Sequence, residues 1–224
     1  MQVRVNGLHA AVQTARSGLD TVVVDAEAAG FGCSTRNGGQ ISTSVKPSYS
    51  ALCQRYGEAQ AIQILKEGQA SLHHVRDFVS EENIDCDFAE VGRFHGAHTA
   101  GQYDKLAREC EHSHPGFDTG SFMVPRDKQH SELGTDAYYG GIVFPRHSSI
   151  DPGKYHAGLL GVAKTAGAHI VSQCCVNDLE RTPQGFEVST EKGRIRANKV
   201  IIATNGYTGP LTPWQQRRVI PIGS

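Results

Sequence analysis

The chain has 224 residues, 38% of them hydrophobic and 20% charged, with a formal net charge of -1. That length suffices for one large domain or two modest ones, and the near-neutral balance argues against nucleic acid or an anionic membrane surface as a partner. The apolar runs are far shorter than the ~20 residues of a membrane span, and the start lacks the order of a secretion signal, so a cytoplasmic location is expected.

Met1 to Val5 alternates apolar and polar residues, a pattern compatible with a short strand that leaves no room for a glycine turn. Leu8, Ala11, Val12 and Ala15 then recur at helical spacing between Gly7 and Ser17, and Gly18 is the stop. Thr21 to Val24 is β-branched without alternation, which suits a parallel strand covered on both faces. Asp25 follows at its carboxyl end. In a βαβ unit that binds a dinucleotide, an acid at that place accepts hydrogen bonds from the adenosine ribose. The phosphate turn of such a unit is absent: a G-x-G-x-x-G ending at Gly7 would require glycine where Gln2 and Arg4 stand. The next stretch, Gly30 to Gln40, is rich in glycine and hydrogen-bonding side chains and reads as a nucleotide-binding loop.

Further along, Ile62, Leu65, Leu72, Val75 and Val79 mark an amphipathic helix from Tyr56 to Ser80, with Gly68 as a weak spot. Cys86 to His98 reads as strand with turns, Gly101 to His112 as helix and Pro115 to Gly120 as loop. Tyr138 to Phe144 is a strand entered through a glycine pair. Asp151 as N-cap, Pro152 at the first position, Tyr155, Leu159, Leu160 and Ala163 on one face, and Gly167 as the stop define a helix. After His169 the pattern is strand, turn and strand. It ends in an apolar strand from Val200 to Ala203, followed by Thr204, Asn205 and Gly206 where a ligand would sit beside a strand exit. The six cysteines include no CxxC pair, so no disulfide frame is expected, and the vicinal Cys174 and Cys175 are expected in a strand.

Taken together, the Val-Val-Val-Asp strand, the run Gly30, Gly32, Ser34, Arg36, Asn37, Gly38, Gly39, Gln40, the Tyr-Tyr-Gly-Gly strand, Asp151-Pro152 and Ala203 to Tyr207 resemble one family across essentially the whole chain. It is the D-amino-acid oxidase-like flavoprotein family, and the Arg-Asn-Gly-Gly-Gln and Ala-Thr-Asn-Gly-Tyr forms look most like its gamma-glutamylputrescine oxidase type. The resemblance implies an α/β fold with α+β elements. A Rossmann-like FAD-binding domain (1–80 and 145–215) would carry an inserted, incomplete mixed-sheet substrate domain (81–144 and 216–224). It also implies FAD as cofactor and a small amine or amino acid as substrate, oxidised at a C–N bond by hydride transfer to flavin.

Residue by residue, the resemblance implies that Gly7 lies at the cofactor and Asp25 binds the ribose. Gly30, Gly32, Ser34 and Thr35 would lie along the pyrophosphate and ribityl chain, Arg36 and Asn37 would anchor the loop, and Gly38, Gly39 and Gln40 would lie beside the flavin ring. Val176 would reach the adenine through its backbone, and Ala203, Thr204, Asn205 and Gly206 would close over the dinucleotide. No catalytic base is assignable, and the oligomeric state is left open. Relative to the family, the first strand, two phosphate glycines and the carboxyl half are missing, so the chain reads as a fragment. The alternatives are an inactive remnant without cofactor, or an NAD-dependent dehydrogenase.

Several residues have plainer readings beside these. Asp25 could be a solvent-facing carboxylate at a strand end. Arg36 could cap carbonyls within its own loop rather than meet flavin or phosphate. Cys33 is either a small residue filling tight space or a reactive thiol. His73 with His74, His95 with His98, and His112 with His114 are expected as surface or packing residues with no metal. Tyr138 and Tyr139 are expected in core and sheet-edge packing.

Overall fold

A computed structural model describes residues 5–43, 45–111 and 119–219. In sequence order the elements are α1 (Val5–Arg16), β1 (Val22–Val24), β2 (Gln40–Ile41), α2 (Tyr49–Tyr56), α3 (Glu58–Glu81), β3 (Arg93–Gly96), α4 (Ala100–Glu111), β4 (Phe122–Val124), β5 (Gly141–Phe144) and β6 (Ser148–Ser149). They continue with α5 (Pro152–Thr165), β7 (His169–Val171), β8 (Val176–Thr182), β9 (Gly185–Thr190), β10 (Gly193–Ala197) and α6 (Pro213–Gln216). The fold is α/β with α+β elements. By packing it divides into one unit of Met1–Gly38, Ile84–Cys86 and Pro152–Ser224, and a second of Gly39–Asn83 and Asp87–Asp151. The first break therefore falls at Gly38–Gly39, well before the boundary at residue 80 suggested by the sequence.

In the first unit, β1 and β7 form a parallel pair in register from Val22 with His169 to Val24 with Val171. Helices α1 and α5 pack together, and their apolar stripes supply the core: Leu8, Ala11 and Val12 from one, Tyr155, Leu159 and Ala163 from the other. Burying such stripes, rather than helix propensity, supplies most of the stability of helices this short. The Tyr155 hydroxyl meets His9 Nε2 at 2.7 Å and so stays hydrogen-bonded while it is buried. Ile84 packs on α5 at Gly158, where an added methyl would come within 2.4 Å of the isoleucine Cγ2. Strands β8, β9 and β10 form an antiparallel sheet in sequence order, whose second reversal falls at Glu191–Lys192.

Several expectations are corrected here. Val5 is the first helical residue, while the remainder of the strand pattern at Met1 to Val5 lies outside the described residues. β1 is not covered on both faces, because Val22 is 42% exposed and Val23 and Val24 are half-buried. Among the described residues it has one partner strand. Val200 to Ala203 is not strand: no described strand pairs with it, and Ile201 is 63% exposed. Cys174 and Cys175 lie in the turn between β7 and β8, since Gln173 adopts φ +50° and breaks the ladder.

In the second unit β5 is the central strand of an antiparallel sheet, flanked by β3 and β4. Its glycine entrance is a matter of space. A methyl on Gly141 would meet the His95 carbonyl oxygen at 2.4 Å, and one on Gly140, held at φ +82°, would meet the Val124 carbonyl oxygen at 2.4 Å. The helix expected from Tyr56 to Ser80 is α3, which starts two residues later and ends one residue later, because Gly57 at φ +81° separates it from α2. Gly68 is not a weak spot. It is buried where α3 meets the preceding segment, and a methyl there would lie 2.6 Å from Val45 Cγ2 and 2.7 Å from the Thr43 carbonyl oxygen. Tyr138 packs edge-on to Phe94 and His98, while Tyr139 is exposed beneath the Arg126 guanidinium at 4.5 Å. Helix α4 matches the expected Gly101 to His112 up to Glu111, whereas His112, His114 and most of the loop from Pro115 to Gly120 lie outside the described residues.

Candidate functional site

The glycine loop of the first unit is held by its own side chains. Asp25 continues β1, donating its N–H to the Val171 carbonyl at 3.0 Å, and its carbonyl accepts from Cys174 N–H at 2.7 Å. Its carboxylate is fully buried, and Oδ1 accepts from the Glu27 N–H at 2.9 Å, the local turn that aspartate side chains favour. The solvent-facing reading of Asp25 is thus excluded. The Cys174 bond also brings the loop's start to within two residues of Val176, which is buried at the head of β8. On the same edge, Ala29 N–H donates to Ser172 Oγ at 3.2 Å and Gln173 N–H to the Glu27 carbonyl at 3.0 Å.

Gly30 is the tightest point. At φ +88° it adopts a conformation that favours glycine, and a methyl there would lie 3.1 Å from the His156 ring on one side and 3.1 Å from Thr35 Cγ2 on the other. The Thr35 hydroxyl donates to the Gly30 carbonyl at 2.6 Å and lies 3.1 Å from that of buried Gly32. Arg36 Nη2 donates to the Phe31 carbonyl, and its guanidinium lies 5.1 Å from the Phe31 ring centre. Of the two readings of Arg36, carbonyl capping is the one this conformation makes. Asn37 Nδ2 donates to the Cys33 and Ser34 carbonyls at 2.9 and 3.2 Å, which straps the end of the loop to its middle. Cys33 is exposed, with Sγ 3.7 Å from the Tyr207 hydroxyl.

Two further segments approach the loop's unit. A methyl on Gly7, in the first turn of α1, would lie 3.3 Å from Ala203 Cβ, so the helix start and the segment from Ala203 to Gly206 are in close contact. Asn205, at φ +49°, begins a 3-10 turn to Tyr207 in which its carbonyl accepts from Thr208 N–H at 3.1 Å, and buried Thr204 exchanges a hydroxyl contact with Thr208 at 2.8 Å. Gly39 and Gln40 belong to the second unit. There the Gly39 carbonyl accepts from Ile150 N–H at 2.9 Å and Gln40 pairs with Ser149.

The residues at the candidate site fit a dinucleotide cofactor in their loop portion. Nothing lies within 4 Å of a methyl placed on Gly38, so a ligand has room against that backbone, while the Thr35 hydroxyl and the Asn37 amide are engaged within the loop. Asp25 is the exception, because its carboxylate is closed off as it lies here. Sequence reasoning missed His156, Ser172 and Tyr207. His156 follows Tyr155 on the buried side of α5, and a buried polar residue inside an apolar stripe is the signal that could have found it. Among the described residues no group of three histidine, cysteine or carboxylate side chains could hold a metal. No described helix is long and apolar enough to cross a membrane.

The chain matches the DAO family, FAD dependent oxidoreductase, over residues 5–224. It is 31% identical over 224 residues to the probable oxidoreductase OrdL of Rhizobium meliloti (strain 1021), covering 97% of this sequence and 51% of that protein. It is 26% identical over 219 residues to the gamma-glutamylputrescine oxidoreductase of Escherichia coli (strain K12), covering 97% and 51%. The chain thus spans about half the length of the curated relatives it matches. Its fold is shared with glycine oxidase from Geobacillus kaustophilus, at TM-score 0.75 and 19% identity over 92% of this sequence and 54% of that one. L-proline dehydrogenase from P. horikoshii shares it at TM-score 0.71 and 17% identity over 90% and 50%.

Proposed function

Because the chain belongs to the FAD dependent oxidoreductase family, we propose that the protein carrying it oxidises a C–N bond of a small amine or amino acid, with gamma-glutamylputrescine-like amines as one candidate class. The observation that carries this reading is the self-braced loop from Gly30 to Gly38, in the unit that also holds Asp25 and Ala203 to Gly206. FAD, when bound, supplies the hydride acceptor.

What the protein's own residues do is bind and orient. Gly30 and Gly32 let the loop backbone turn tightly beside the pyrophosphate, Ser34 offers a hydroxyl along it, and Thr35 braces Gly30 from within the loop. Arg36 and Asn37 keep the loop's shape by capping its carbonyls. Gly38 presents an open face for the ring system, continued in sequence by Gly39 and Gln40. Val176 offers backbone to the adenine, Ala203 to Gly206 cover the dinucleotide, and Gly7 keeps the start of α1 close to Ala203. Asp25 holds the β1-to-loop turn in the conformation described, and contact with the ribose requires its carboxylate to be uncovered.

The experiment is spectroscopic. The protein carrying this sequence should purify with flavin absorbance, or regain it on titration with FAD but not with NAD, and should reduce that flavin on addition of an amine or amino acid without air. Absence of flavin binding by the intact protein would refute the reading.

A further inference from the structure

Three Asn-Gly steps occur in the sequence: Asn6-Gly7, Asn37-Gly38 and Asn205-Gly206. The geometry points to Asn37 as a site of spontaneous modification, where deamidation through a cyclic imide unstraps the glycine loop. The reaction needs the backbone nitrogen of the following residue to reach the asparagine Cγ. Glycine permits this best, because no Cβ stands in the way. The Gly38 nitrogen attacks Asn37 Cγ and forms the ring C–N bond while the Cγ–Nδ2 bond breaks. Nδ2 leaves as ammonia, taking the proton that Gly38 nitrogen loses. Water then opens either C–N bond of the imide, giving aspartate or isoaspartate. No oxidant or further reagent is required.

Three observations bear on this step. Asn37 and Gly38 are both exposed. No backbone hydrogen bond among the described residues engages the Gly38 N–H, and a methyl on Gly38 would meet nothing within 4 Å, so the space beside its Cα is open. The bonds from Asn37 Nδ2 to Cys33 and Ser34, which must open first, are themselves exposed. In contrast, Gly7 lies inside α1 against Ala203, where the helical backbone directs its N–H along the axis and away from the Asn6 side chain. Asn205 opens a 3-10 turn whose carbonyl is held by both the N–H and the hydroxyl of Thr208.

The consequence follows from the donor inventory. Nδ2 donates to two carbonyls, whereas a carboxylate in its place only accepts, so the strap becomes a repulsion. Isoaspartate adds a backbone carbon as well. The functional weight of this change rests on the proposed cofactor role, since it puts a negative charge into a loop meant to lie along an anionic pyrophosphate.

The experiment is peptide mapping by mass spectrometry, with isoaspartate labelling, after the flavin-free protein is kept at mildly alkaline pH. Conversion at Asn37 is expected to run several-fold faster than at Asn6 or Asn205. Gly38→Ala should slow it several-fold, and unfolding in guanidinium should bring the three steps to similar rates. Equal rates at all three sites in the folded protein, or no slowing in Gly38→Ala, would overturn the proposal. A second arm adds saturating FAD. Protection of Asn37 by FAD supports the cofactor reading, and unchanged conversion with FAD counts against that reading alone, because the flavin-free map decides the modification by itself.

Discussion

Gly30 lies between two neighbours that leave no room, the His156 ring and the Thr35 methyl, each 3.1 Å from where a Cβ would stand. A left-handed conformation costs an L-residue about 1–2 kcal/mol before any contact is counted, and crowding adds to it. Gly30→Ala should therefore lower stability by about 1–3 kcal/mol, read from the urea midpoint, and weaken FAD binding. An unchanged midpoint would mean that His156 and Thr35 yield freely. Tyr155 gives a pH prediction. Burial, with Cys86 adding to it, pushes its hydroxyl up to about 12 from the usual 10.0. The folded protein thus holds that proton more tightly than the unfolded state does, and its contribution is intact below pH 10 and fades as pH rises toward 12. Tyr155→Phe should lose about 0.5–1.5 kcal/mol at neutral pH, through the His9 bond. It should also show a shallower decline across that alkaline window. At this scale the sequence exposed residue types but not partners. Arg36 could be read as capping or cofactor contact until its Phe31 bond was seen, and the fate of Asp25 depended on a turn to Glu27.

Helix propensity and packing give opposite answers at Gly68. Alanine is about 1 kcal/mol better than glycine inside a helix, yet the added methyl would press on Val45 and on a backbone oxygen of Thr43. Overpacking of that kind costs about 1–3 kcal/mol. Gly68→Ala is accordingly expected to destabilise, and a raised melting temperature would show that the segment before α2 gives way. Elements with strong local signals were legible: α1 from its spacing, α5 from Asp151-Pro152 and the Tyr155, Leu159, Ala163 stripe. Those that failed lacked local determination. Val200 to Ala203 has every strand residue and no pairing strand among the described residues.

At the scale of the molecule, large apolar side chains remain on the surface of the first unit: Leu19, Val22, Ile201 and Trp214. β1 pairs on one edge alone among the described residues. Exposed strand edges with apolar neighbours template association. Leu19→Lys with Ile201→Lys should reduce light scattering at high concentration while moving the unfolding free energy by no more than about 0.5 kcal/mol per site. A large loss of stability would show that these side chains are covered in the protein as it exists. The family was readable from the glycine loop and the Ala203 to Tyr207 segment, because each is a run of particular residues in a particular order, and such patterns are legible in one dimension. Helix phase, turn glycines and the α/β character were likewise set by local spacing and backbone permission. Tertiary structure alone decided that His156 backs Gly30, that Cys174 secures Asp25, and that packing breaks at Gly38–Gly39. Each depends on residues far apart in sequence meeting in space, and no local period or composition encodes which of them will meet.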